Sequence, residues 1–222
     1  MTALVDRWHS PPPDADRAQV LALLATGGVG PTCFQALERG LSHWFDPAGD
    51  GAVAYVPAGR WWVAAGCPIA PPARQGAVGA AFVSAARARG RRAVFFGVEA
   101  SFLQALAAAG VAHDALQVAE QPDWDPRAYH TQGPSRRSLR AQVRRAANKG
   151  VVVRRIGADE LARRPGSLRA EIEWVLDRWL ASRRMSVMRF MVDLEPFTFP
   201  EARRYYLAEQ GDRAVGFLAA VP

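Results

Sequence analysis

The basic side chains of this sequence are concentrated in one short stretch. Residues 136–155 contain eight arginines and lysines and no acidic residue, and the rest of the chain is close to neutral, so this stretch accounts for the net charge of +7. A block of this density predicts a polyanionic partner, either tRNA-like nucleic acid or an anionic membrane surface. A solvated linker helix is the structural alternative. The polyanion-binding candidates are Arg136, Arg137, Arg140, Arg144, Arg145 and Lys149.

A second candidate region lies around residues 183–199, where three methionines within seven residues are close to three phenylalanines. Such clusters are usually core, but they also form pliable apolar walls that can hold an acyl chain or an aminoacyl group. Arg183 and Arg189 flank the cluster and could hold a phosphate. Asp193 and Glu195 could accept a substrate ammonium group, or they could be exposed loop acids. Arg183, Arg189 and Asp193 are therefore the substrate-binding candidates.

The sequence shows no familiar catalytic grouping. Its four histidines are scattered, and each is expected to be a surface or capping residue. No Ser/His/Asp or Cys/His arrangement stands out, so no catalytic residue is assigned. With two cysteines, Cys33 and Cys67, and no metal-ligand spacing, we expect no metal site.

A coenzyme-binding loop is also not evident. Residues 74–80 (RQGAVGA) have glycines that would permit close approach of a pyrophosphate, but their spacing does not fit a phosphate-binding loop. We expect Gly76 and Gly79 to serve helix packing instead. No cofactor is therefore predicted.

Length and hydropathy restrict the class of protein. The 222 residues suffice for one large domain or two small ones, and 50% of them are hydrophobic, so a packed core is expected. No apolar run approaches the roughly 18–20 residues that span a bilayer, and residues 1–10 have no apolar signal core. These features predict a cytosolic protein.

The elements that must position these residues alternate between helix and strand. Residues 14–26 predict a helix, residues 52–57 and 60–65 a hairpin, residues 76–89 a helix, residues 93–98 a buried strand, and a helix capped by Ser101 runs to residue 109. A strand–helix–strand unit implies an α/β fold whose mixed sheet has parallel pairing at its centre.

The second half begins after a polar, turn-rich segment. We place a first domain at residues 1–120, a linker at 121–134 and a second domain at 135–222. Ser135 is the expected N-cap and Gly150 the C′ residue of an amphipathic helix whose apolar stripe holds Leu139, Val143 and Ala147. The expected elements that follow are a strand at 151–156, a helix at 168–181 and a hairpin at 205–209 and 214–221.

Several stretches resemble one known family. The basic run SRRSLRAQVRRAANKG (135–150) with VVVRR (151–155) is similar to the signature of the C-terminal domain of phosphatidylglycerol lysyltransferases. Further similar stretches are Trp179–Arg183, Met188–Asp193 leading to Phe197, Tyr206–Glu209, Val215–Pro222 and the turn Ala65–Pro68. The similarity is collinear and extends over most of the chain.

This resemblance implies a tandem pair of acetyltransferase-like (GNAT) folds, with the chain ending inside the second. It also implies an enzyme that transfers an amino acid from aminoacyl-tRNA to phosphatidylglycerol or a similar hydroxyl acceptor. Its partners would be aminoacyl-tRNA and an anionic lipid headgroup, met at the inner face of a membrane. The alternatives are an acyl-CoA-dependent N-acyltransferase, which the fold also supports, and a non-catalytic module or inactive fragment that binds lipid or RNA.

Overall fold

The structure, a computed structural model, describes residues 14–28, 30, 32–122, 124–162, 168–183, 190 and 194–221. These residues form two compact units. The N-terminal unit contains the described residues up to 118 together with Phe190, Leu194 and Glu195. The C-terminal unit contains the described residues of 119–183 and 196–221.

A mixed four-stranded sheet forms the centre of the N-terminal unit. The unit consists of α1 (Ala15–Gly27), a 3₁₀ turn (Cys33–Leu37), β1 (Ser42–Phe45), β2 (Ala52–Ala58), β3 (Trp61–Ala65), α2 (Pro72–Ala88), β4 (Arg92–Phe96) and α3 (Ala100–Ala108). The strand order is β1-β2-β3-β4. Neighbours are antiparallel except β3 and β4, which are parallel because α2 connects them. The predicted hairpin and the strand–helix–strand unit are thus confirmed.

The core of this unit lies between the sheet and α2. Phe82 of α2 is fully buried, and the rings of Trp44, Tyr55, Trp62 and Phe95 lie 5.5–5.8 Å from it. Three of these contacts, from Trp44, Tyr55 and Phe95, have the edge-to-face geometry that aromatic pairs favour. The N-terminal half of the chain therefore supplies an aromatic core.

Three local predictions for this unit are wrong. Helix α2 begins at Pro72, four residues before the expected start, because proline at the first helical position needs no hydrogen-bond partner. Helix α3 begins at Ala100 with Glu99 as N-cap, so Ser101 is inside the helix. Strand β4 lies at the edge of the sheet. It is not the buried strand that was expected, because Val94 and Phe96 are 39% and 46% exposed.

The C-terminal unit has an antiparallel sheet. Its elements are a 3₁₀ turn (Pro134–Arg136), α4 (Arg137–Asn148), β5 (Val151–Ile156), α5 (Ala158–Ala162), α6 (Leu168–Ala181), a 3₁₀ turn (Pro200–Ala202), β6 (Arg204–Gln210) and β7 (Arg213–Ala220). The strand order is β5-β6-β7, and every pair is antiparallel. The predicted strand, helix and final hairpin are confirmed.

Helix α6 packs on β7, and the buried residues Ile172, Tyr205 and Leu207 form part of the core there. The Tyr205 hydroxyl donates to the Pro196 carbonyl oxygen at 2.8 Å, so this buried phenol has a partner. No helix of the described residues combines the length and hydropathy needed to cross a bilayer.

Candidate functional site

The basic block forms helix α4 and strand β5. The helix starts at Arg137, with Arg136 and not Ser135 as N-cap, because Pro134 begins a 3₁₀ turn that shifts the start. It ends as predicted, with Gly150 in the C′ position at φ +74°. No residue of α4 is buried, and Val143 of the expected apolar stripe is 61% exposed. The helix therefore presents its basic side to solvent instead of covering a core.

The basic side chains of α4 and of its flanking residues Arg136 and Lys149 differ in whether they contact other groups of the chain. Arg140 donates from one guanidinium nitrogen to the carbonyl oxygens of Thr131 and Gly133, both at 2.7 Å, which holds the preceding segment against the helix. The Arg136 guanidinium lies 5.2 Å from the Tyr129 ring centroid. Within the described part of the chain, none of the ion pairs involves the remaining exposed cations. These are Arg137, Arg144, Arg145 and Lys149.

Arg154, in the same sequence block, is neutralised by acids from elsewhere in the chain. Its guanidinium donates to Glu209 at 2.8 Å and to Glu160 at 2.7 Å. Hydrogen bonds to these two carboxylates raise the pKa of Arg154 above its ordinary value. This arginine joins β5, β6 and α5, and it is not available to a polyanion.

Arg183 follows the end of α6 and stacks on an exposed tryptophan. Its guanidinium carbon lies 4.5 Å from the Trp179 ring centroid, and Trp179 is 41% exposed. A guanidinium held on an aromatic face keeps its outer N–H groups free to bind a phosphate. Trp179 thus lies partly in solvent and orients Arg183.

The carboxylate of Glu195 is hydrogen-bonded to residues of the N-terminal unit. It accepts from Arg17 at 3.0 Å and from the backbone N–H of Arg39 at 3.1 Å, and it also contacts the Arg39 guanidinium. The Glu195 side chain is 3% exposed. It is therefore an internal anchor and not an acceptor for a substrate ammonium group. Arg189, Asp193 and the three clustered methionines lie outside the described residues.

The two thiols are poor nucleophiles. Cys33 and Cys67 are only partly accessible, and burial raises the pKa of both, so they are protonated at neutral pH. His43 contacts the Ala36 carbonyl oxygen at 2.8 Å and His113 that of Val111 at 3.0 Å, which agrees with the expected structural roles.

The glycines of residues 74–80 pack two helices together, as predicted. A Cβ at Gly76 would lie 2.3 Å from the Ala105 oxygen of α3, and one at Gly79 would lie 2.9 Å from the Phe102 ring. Arg74 pairs with Asp46 and Asp50 at 3.1 and 2.9 Å. The backbone here is occupied by α3, so it is not a cradle for a pyrophosphate.

Sequence reasoning missed a second tryptophan–arginine pair on α6. The Arg178 guanidinium carbon lies 4.6 Å from the Trp174 ring centroid, and Trp174 is 47% exposed. The signal was present, since Trp174 and Arg178 have the same i,i+4 spacing as Trp179 and Arg183. A second arginine beside Trp174, Arg213, comes from β7, so the spacing of residues along α6 could not reveal it.

Comparisons with known proteins agree with this architecture. The family described as "Phosphatidylglycerol lysyltransferase, C-terminal" matches residues 22–222. The fold is similar to that of the C-terminal domain of a putative lysylphosphatidylglycerol synthetase from Agrobacterium fabrum, with a TM-score of 0.75 and 21% identity, over 92% of this chain and 62% of that one. It is also similar to L-PGS from Bacillus licheniformis, with a TM-score of 0.75 and 18% identity, over 96% of this chain and 63% of that one. No curated protein is detectably similar in sequence.

These likenesses confirm the predicted acetyltransferase-like α/β fold. The chain spans somewhat less than two thirds of the length of either solved structure. The family match includes the cationic helix α4, strand β5 and the Trp179–Arg183 pair. The chain belongs to the family of phosphatidylglycerol lysyltransferase C-terminal domains.

Proposed function

We propose that this chain is part of an aminoacyl-tRNA-dependent transferase that moves an amino acid to phosphatidylglycerol or a similar hydroxyl acceptor. The observation that carries the proposal is the family match over residues 22–222. The exposed cations of α4 support it, because the donor and the acceptor of this reaction are both anionic.

The proposed reaction is a transesterification. The acceptor hydroxyl oxygen attacks the carbonyl carbon of the aminoacyl ester and passes through a tetrahedral intermediate. The bond to the tRNA 3′ oxygen then breaks, and the proton lost by the acceptor hydroxyl ends on that leaving oxygen. The reaction needs a base to remove the proton and donors to stabilise the developing oxyanion.

We assign binding roles to the charged residues. Arg137, Arg144, Arg145 and Lys149 would bind tRNA phosphates, since they are exposed and no ion pair among the described residues engages them. Arg183 would bind a phosphate of the acceptor lipid, because its stacking on Trp179 fixes the guanidinium. Arg189 and Asp193 keep the substrate-binding roles proposed from the sequence. The chain would meet its lipid at the cytoplasmic surface of a membrane, where aminoacyl-tRNA is available.

The packing of Gly76 and Gly79 against α3 argues against an acyl-CoA-dependent reaction in the N-terminal unit. A module that only binds anionic lipid or RNA is favoured by one observation, that no residue of α4 is buried. The two remaining functions differ in their response to substitution. A transferase loses turnover when either α4 or Arg183 is neutralised, whereas a binding module loses affinity only with α4.

The test measures transfer of radiolabelled amino acids from charged tRNA into extractable lipid. The 222-residue chain and the complete gene product are assayed in parallel, each with R183A and with the α4 double variant R144Q/R145Q. Arg87→Gln, an exposed arginine of α2, is the matched charge control. We expect labelled lipid, lost in R183A and in the double variant but not in R87Q. Absence of labelled lipid from both folded wild-type proteins would refute the transferase.

A further inference from the structure

A small cleft on the C-terminal unit lies between α6 and the start of β7. It has a volume of about 320 Å³ and is lined by Ala170, Glu171, Trp174, Arg213 and Ala214. This volume is at the lower end of the range for ligand-binding clefts, which is suited to one planar group and not to a large ligand. None of these residues belongs to α4 or to the Trp179–Arg183 pair.

Two arginines lie beside the indole ring of the cleft. The guanidinium carbons of Arg178 and Arg213 are 4.6 and 5.7 Å from the Trp174 ring centroid. Both arginines are exposed, and Trp174 keeps 47% of its surface in solvent. An aromatic face with cations beside it can stack a flat ring while binding an anion attached to that ring.

The carboxylate of Glu171 restricts what can enter. One of its oxygens accepts from the Ala214 backbone N–H at 2.8 Å, which fixes the carboxylate at the wall of the cleft. A fixed negative charge repels an anionic headgroup but accepts a hydrogen bond from an exocyclic amino group of a nucleobase.

We propose that this cleft binds an unpaired nucleotide of RNA. The base stacks on Trp174 with its amino edge toward Glu171, and Arg178 and Arg213 bind the neighbouring phosphates. The inference rests on the proposed use of tRNA as donor, and it adds a stacking contact that is separate from the cationic surface of α4. Cytosine and adenine, which have an exocyclic amino group, should be preferred over uracil.

The test is fluorescence anisotropy of labelled single-stranded oligo(C) and oligo(U) of about 12 nucleotides, a length within the site sizes of single-strand-binding domains. The full chain is compared with W174A, W174F and R213Q. W124A is the matched control, because Trp124 is 69% exposed and lies outside the cleft. Far-UV circular dichroism melts check that each variant is folded, and the surface variant R213Q reports on the cleft even if W174A does not fold.

We expect W174A to weaken oligo(C) binding roughly 5- to 150-fold, which is the usual range for loss of one stacked base. W174F, which can still stack, should stay within about threefold of wild type, and W124A should have no effect. R213Q should lower the slope of log affinity against log salt by about 0.7, and R87Q should leave it unchanged.

Three outcomes would overturn the inference. If wild type binds RNA and all cleft variants bind equally well, the cleft is not an RNA contact, and labelled lipid in the transfer assay would still support the proposed function. If the cleft variants lose binding to phosphatidylglycerol vesicles and not to RNA, the cleft belongs to a lipid surface. If wild type binds neither oligonucleotide nor tRNA, the inference falls together with the tRNA dependence of the proposed function.

Discussion

Replacing Gly76 by alanine should destabilise the protein, although alanine is the better helix former. The new Cβ would lie 2.3 Å from the carbonyl oxygen of Ala105 and 2.7 Å from its carbonyl carbon, whereas ordinary contact begins at 3.4 Å. Both atoms belong to the backbone of α3, so they cannot rotate away as a side chain can. Helix α3 must therefore move about 1 Å away from α2.

The size of the effect follows from what α3 contributes to the core. Phe102 and Leu106 are 0% and 2% exposed and pack at Gly79, and a gap of 0.5–1 Å loses a quarter to a half of such contact energy. Overpacking typically costs 1–3 kcal/mol, and a clash with backbone belongs at the upper end. Alanine has a higher helix propensity than glycine, which offsets about 1 kcal/mol of this cost. The free energy of unfolding should fall by about 2 kcal/mol, which lowers Tm by about 4–8 °C.

Thermal melts of wild type, G76A and S84A test this reasoning. Ser84 is exposed on the same helix, so S84A should stay within about 0.5 kcal/mol of wild type. Coenzyme A should leave the wild-type Tm unchanged. A Tm of G76A equal to or above that of wild type would refute the packing argument. If coenzyme A raises the Tm of wild type but not that of G76A, Gly76 belongs to a phosphate-binding site, because a ligand that binds the native state stabilises it by mass action.

Three further predictions concern charge and burial. In tRNA binding, R144Q/R145Q should lower the slope of log affinity against log salt by about 1.5, and an unchanged slope would place the phosphates elsewhere. E195Q should lower the free energy of unfolding, measured in urea, by about 3 kcal/mol. This is the lower end of the range for breaking a buried ion pair, because Arg17 retains its 2.8 Å hydrogen bond to the Leu37 carbonyl oxygen. An unchanged urea midpoint would contradict the role of Glu195 as an internal anchor. Burial raises the pKa of Tyr205 from 10 to about 12. The folded state therefore binds the phenolic proton of Tyr205 more tightly than the unfolded state does. The resulting contribution to the free energy of unfolding should be fully present below pH 10 and decline as the pH rises toward 12. Y205F should lack this decline in alkaline unfolding curves.

Elements whose signals are local could be predicted from the sequence. Strand β5 occupies the predicted residues 151–156, and the two hairpins lie within one or two residues of their predicted bounds. These predictions depend on alternation of side chains and on turns at Gly59 and Gly211, both with positive φ, so neighbouring residues suffice. Helix starts were less predictable, because Pro72 initiates α2 four residues before the expected start and Pro134 initiates a 3₁₀ turn before the expected N-cap Ser135.

The sequence by itself determined that residues 136–155 are strongly basic, that Gly76 and Gly79 do not have the spacing of a phosphate loop, and to which family the chain is similar. Only the tertiary structure decided which charges remain available. Arg154 is neutralised by Glu209, which is 55 positions away, and Glu195 is held by Arg17 across 178 positions. Likewise, Arg213 of β7 joins Trp174 of α6 only because the helix packs on that strand. Composition counts charges, but their availability depends on contacts between residues that are far apart in the chain, and no local pattern encodes those contacts.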